Sequence, residues 1–238
     1  MKSPLQIQKG GVGLVDLEPV TKLWNSYIKP SFTEQMRLLP DSVLIGSGIL
    51  ALVTQSFATT VFFISLLETA AVGTALRTLF SYMNYSGLLP GTPDPSVCTP
   101  NILRPSLETI ASFGKGSVSS TFPSFPIFFL STAASYVIGT MYSEAPELQA
   151  LGASYAARFY IGIFSSLFLL FVVMTYRLSM GCEGLGVLIL TLFAGLLLGP
   201  LLVYQNSMLL GRDATNLLGI PLLTQKTKDG KPIYVCPQ

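Results

Sequence analysis

The chain has 238 residues, 50% of them hydrophobic and 11% charged, with a net charge of +2 and a mean hydropathy of +0.58. Soluble domains carry about 25% charged residues, and here the shortfall is concentrated in long uncharged runs, which points to a membrane protein. The chain has no histidine, its three cysteines form no Cys-x-x-Cys pair and it has no strong basic block; these absences argue against a neutral-pH general base, a zinc site, and nucleic-acid binding as the main task.

The first segment, MKSPLQIQKGGVGLVDLEPV, has no apolar core of signal-peptide length, so no cleaved signal is expected. Its GGVG, Gly10 to Gly13, lacks the Lys-Ser/Thr ending of a phosphate loop. Val20, Leu23, Trp24, Tyr27 and Ile28 then fall at helical spacing between Pro19 and Pro30, flanked by Lys22 and Lys29. This pattern predicts an interfacial amphipathic helix near 19–29 within an N-terminal arm, 1–41, with Trp24 and Tyr27 anchoring at headgroup depth. Packing of that face on a protein partner is the alternative.

Four uncharged runs are long enough to cross a bilayer, which takes about 20 helical residues. The first is entered through Pro40 and Asp41 and runs over 42–76, long enough to require tilt or projection beyond the lipid. The others cover 125–142, 159–176 and 185–210; Pro200 should kink the last or mark its end. The expected fold is therefore an all-α membrane protein, a four-transmembrane-helix bundle over 42–211 that includes an extramembrane, Pro-rich connection at 77–122. In the tail, 212–238, Asp229-Gly230 between strand-like runs predicts a β-hairpin. An even number of spans places both termini on one side. Counting Lys and Arg makes that side cytoplasmic and puts the Pro-rich connection opposite.

Small residues recur on the spans: Ser131, Ala134 or Ser135, and Gly139 on the second; Thr191, Gly195 and Gly199 on the fourth; Ser47, Ala51, Thr54, Ala58, Ser65 and Thr69 along the first. Such stripes let helix backbones approach closely. Packing within the bundle is the first use of them and homo-oligomer formation the second. Two polar residues stand out. Glu68 lies 26 residues beyond Ser42, about 39 Å of helix, which puts it at the far headgroups. Gln55 falls deeper, where a neighbouring helix would satisfy its amide. No span carries the acids and bases of a proton relay. Cys98 and Cys182 fall on the same side, so a disulfide is open to them in an oxidising compartment, with free thiols the alternative. No catalytic set, metal site or cofactor motif emerges, and a non-enzymatic protein is expected.

The connection is stiffened by Pro90, Pro93, Pro95, Pro100 and Pro105, and Leu107, Ile110 and Phe113 share one side of a short helical stretch. It reads as an ordered docking element rather than a solvated linker. The run LLPGTPDPSVCTPNILRPSLETIASFG, followed by SSTFPSFPIFFLSTAASYVIGTM, covers Leu88 to Met141. Together with Gly-Ile-Pro-Leu-Leu from Gly219, it resembles multi-pass membrane proteins of large icosahedral double-stranded DNA viruses of algae and protists. The resemblance implies a structural component of a virion internal membrane, with lipids and capsid or other membrane proteins as partners and a role in capsid assembly. It brings no catalytic residue with it. The competing reading is a channel or transporter subunit. A water-accessible polar face through Ser47, Thr54 and Gln55 would favour the channel, whereas dry packing of that face would favour the scaffold.

Overall fold

The computed structural model describes residues 22, 24–82, 98, 122–145 and 153–217. The chain divides into two units, Met1–Gln35 and Met36–Gln238. In the first, a π-helical turn, Trp24–Ile28, leads directly into helix α1, Lys29–Thr54, most of which belongs to the second unit. Then follow α2 (Phe57–Tyr82), α3 (Phe125–Ser143), α4 (Ala153–Ser179), α5 (Leu185–Leu210) and a 3₁₀ turn, Arg212–Thr215. Among the described residues, five helices are long and apolar enough to cross a membrane, as in an integral multi-pass protein. No strand occurs among the described residues. The C-terminal hairpin and nearly all of the Pro-rich connection lie outside them.

The expected four-helix bundle is corrected here. The run 42–76 is not one tilted helix, because the chain breaks after Thr54. Gln55 adopts a left-handed φ of 50° as its N–H closes the last turn of α1 on Ala51 O at 3.0 Å. Ser56 then precedes α2 at the N-cap position, and its carbonyl accepts from the hydroxyls of Thr59 and Thr60 at 2.9 and 3.0 Å. Thr54 and Thr59 hydroxyls meet across the break at 3.0 Å. The helices fold back on each other. A Cβ on Gly48 would lie 3.0 Å from the Phe63 ring, whereas one straight helix would hold these residues about 22 Å apart.

The N-terminal expectation changes with it. The helix does not end at Pro30, the second residue of α1, where a missing N–H costs nothing. It also continues through Pro40. The expected interfacial helix is therefore not a separate element where it is described, and Ser26–Thr54 is a span-length helix. Likewise α5 passes through Pro200 without ending.

Helix α3 is central. Its apolar stretch is 72% buried, against 17% for that of α4. Phe125, Phe129 and Ala133 of α3 pack with Leu66 and Ala70 of α2, Leu170 and Val173 of α4, and Leu188 of α5. Tyr160, Phe164 and Phe171 on the far face of α4 are 68%, 72% and 66% exposed, as suits a lipid-facing surface. Helices α3 and α5 run parallel in close register. A Cβ on Gly195 would come within 2.8 Å of Phe128 O, and one on Gly199 within 2.6 Å of Tyr136 N. Farther along, Gly139 faces Val203. Lipid offers apolar groups little reason to leave it, so helix association rests on such close van der Waals fit and on interhelical hydrogen bonds. One is present here, from Ser135 Oγ to Gly195 O at 3.1 Å.

Candidate functional site

Two features carry more chemistry than packing requires: a clamp at one end of the bundle and a polar cluster within it. The clamp forms where α4 turns into α5. Gly181 takes a φ of 68°, a conformation that favours glycine, and Cys182 N–H returns to Arg177 O at 3.0 Å. This tight reversal presents Cys182 to Cys98 of the Pro-rich connection, with Cα atoms 5.5 Å apart, and the two form a disulfide. Arg177 reinforces it. Its Nε donates to Glu183 Oε2 at 2.8 Å, its Nη2 pairs with Glu183 Oε1, and its Nη1 donates to Cys98 O at 3.0 Å. The guanidinium fork thus serves a carboxylate and a backbone carbonyl from one buried position. Where the connection reaches α3, Ser124 N–H donates to Thr191 Oγ1 at 3.1 Å and Phe122 meets Phe80 edge-on at 4.7 Å.

Breaking the disulfide should loosen this end. The bond closes a separation of 84 residues, for which loop-closure entropy gives an upper figure of about 4.6 kcal/mol. Spans that stay inserted when packing is lost limit that gain, so about 2–3 kcal/mol is expected from Cys98→Ala or Cys182→Ala. Denaturant titration in bicelles measures it, and a midpoint unmoved by reductant would show the bond to be energetically idle.

At the opposite end, Arg212 reaches the buried Glu144 at 3.5 Å and ties the 3₁₀ turn to the end of α3. Below it lies the polar cluster. Asn206 Nδ2 on α5 donates to Ser65 Oγ of α2 at 2.8 Å and to the Tyr136 hydroxyl of α3 at 3.0 Å, using both amide hydrogens. All three residues are buried. Beside them, Gln205 Nε2 approaches Glu68 Oε1 at 3.5 Å. Three hydroxyls of the α1–α2 small-residue stripe donate within their own helices: Ser47 to Leu44 O at 2.8 Å, Ser65 to Val61 O at 2.9 Å and Thr69 to Ser65 O at 2.7 Å.

The break at Gln55 exchanges the two polar positions expected from sequence. Gln55 is exposed at the α1–α2 turn rather than deep in a span. Glu68, expected at the far headgroups, is the twelfth residue of α2, about 17 Å along it and well inside. Gly139, Gly195 and Gly199 lie on the α3–α5 seam. Tyr27 is 70% exposed, and Trp24 belongs to the same turn. Cys98 and Cys182 are brought together, whereas Cys236 lies outside the described residues.

Sequence reasoning passed over the Arg177–Glu183 pair, the Gln205-Asn206 dipeptide and Tyr136, and it placed Asp41 at a span's entrance, whereas Asp41 is buried within α1. A signal existed for two of these. Arg177 and Glu183 bracket the glycine turn, and Gln205-Asn206 interrupts an otherwise apolar run. Comparison with protein-family models, with curated proteins and with solved structures finds no match.

Proposed function

We propose that the protein is a non-enzymatic structural membrane component that organises a protein layer on the bilayer through its Pro-rich connection and its termini. The observation that carries this reading is the clamp. A disulfide and a buried arginine hold Cys98, in the middle of that connection, against the α4–α5 turn. Such a fixed point suits a surface that must present a constant shape to a partner. The internal membrane of a large icosahedral virus, with its capsid shell as partner, is the setting consistent with the sequence resemblance.

The packing of the proposed polar face bears on the channel alternative. Ser47 and Ala51 are buried, with the Ser47 hydroxyl bonded to its own helix. Thr54 and Gln55 sit at a helix turn instead of lining a path. Ser47 and Ala51 are packed away while Thr54 and Gln55 are exposed only at the turn, so these residues form no continuous polar face along a span, which supports the scaffold over a pore. Cross-linking in the native particle or membrane, followed by mass spectrometry of links from Lys115 and from Lys226 to Lys231, tests the proposal. Links to an abundant shell protein are the expected result. Links confined to the chain itself would overturn it and make solute flux in liposomes the next measurement.

A further inference from the structure

Glu68 is half-buried on α2, and among the described residues its one hydrogen bond is the long contact from Gln205, also half-buried, on α5. No lysine or arginine of the described residues pairs with it. The surrounding outward surface is apolar. Ile64 of α2 is 55% exposed, and Leu201 and Tyr204 of α5 are 58% and 65% exposed. Ala71, one turn from Glu68, is small and exposed. A carboxyl and an amide therefore sit side by side in a strip that otherwise suits lipid. Facing hydrocarbon, a carboxyl without a good donor is costly.

The strip holds the means of its own completion. A glutamine amide nitrogen carries two hydrogens, of which Gln205 directs one towards its own Glu68. The carboxyl oxygens of Glu68 accept more than that one long bond provides. We propose that the α2–α5 strip is the contact between two copies of the chain, in which the Gln205 amide of each copy donates its second hydrogen to the Glu68 of the other.

A two-fold arrangement requires a patch complementary to itself, with donor and acceptor both present and offset. Glu68 and Gln205 meet that condition, whereas a lone carboxylate would meet only its own like charge. Ala71 allows close approach one turn away, and interhelical polar contacts of this kind hold membrane helices together. The inference is independent of any shell partner and rests only on the helices being membrane-embedded.

The test uses the full disulfide-bonded chain, labelled with donor or acceptor fluorophore at Cys236, in phosphatidylcholine vesicles over a range of protein-to-lipid ratios. Energy transfer should rise with protein density. Glu68→Leu and Gln205→Leu should each weaken association about tenfold, in line with one or two interhelical hydrogen bonds. Glu68→Gln, which keeps a hydrogen-bonding group, should remain close to the parent, as should Phe164→Ala on the far face of α4. Retention of the Cys98–Cys182 bond on non-reducing gels confirms that each variant is folded. Three results would overturn the proposal: no density-dependent transfer in the parent, leucine variants that associate like the parent, or a loss confined to one of the two positions.

Discussion

Replacing Gly199 with alanine is expected to destabilise the bundle by about 3 kcal/mol, the upper end of the usual overpacking range. The added Cβ would fall 2.6 Å from Tyr136 N and 2.7 Å from Thr132 O, and closer still to the Ser135 hydroxyl. A hydroxyl can rotate away, but the backbone of α3 cannot do so without the whole helix moving. That movement would also separate Gly195 from Ser131 and stretch the Ser135 bond to Gly195 O. Gly186→Ala is the internal control. Nothing lies within 4 Å of its added Cβ, so the change should be neutral or raise stability by up to about 1 kcal/mol through helix propensity. Denaturant midpoints of the two variants in bicelles should therefore move apart. If Gly199→Ala melts with the parent, α3 and α5 do not pack in this register.

A second large effect is expected at Arg177. Its side chain and that of Glu183 are 5% and 7% exposed. Removing one partner of a buried ion pair leaves the other charge without compensation, which costs about 3–5 kcal/mol. Arg177→Ala should approach that range, because Cys98 O also loses its donor. Replacing both partners, Arg177→Met with Glu183→Leu, should recover most of the loss, since apolar substitution of a whole buried pair is often neutral. The comparison needs the same denaturant titration plus the oxidised fraction on non-reducing gels. A double variant no better than Arg177→Ala would mean that the bond to Cys98 O, rather than the ion pair, dominates.

The parts of this fold legible in the sequence share one physical character. The spans of α3, α4 and α5 follow from uninterrupted apolar runs, because lipid demands length and hydrophobicity before anything else. The glycines and serines of the α3–α5 seam were visible as stripes, although only the three-dimensional register shows which stripe meets which. The α1–α2 hairpin was missed because its signal is polar but uncharged. Thr54-Gln55-Ser56 reads as tolerable inside a span, and span counting gives weight mainly to charge. Pro30 and Pro40 misled in the opposite sense: one occupies a first turn and the other continues within a helix. The polar cluster depended on the same error, since the depth of Glu68 follows from where α2 starts. The clamp was half legible. Two cysteines could be assigned to one side, but the arginine holding the carbonyl of one of them acts across 79 positions of sequence and leaves no local pattern.

The disulfide also determines how tension would travel through the protein. With the backbone it closes a covalent ring that contains α3 and α4. A pull on the connection upstream of Cys98 does not have to peel α3 from its first turn, one hydrogen bond at a time. The force passes through the sulfur bridge to the α4–α5 turn and is shared between two helices loaded from the same end. Detachment then requires both to slide at once against their neighbours, a shearing mode that breaks many contacts together. Under such a load the weak point would move from the helix ends to the packed faces of the bundle.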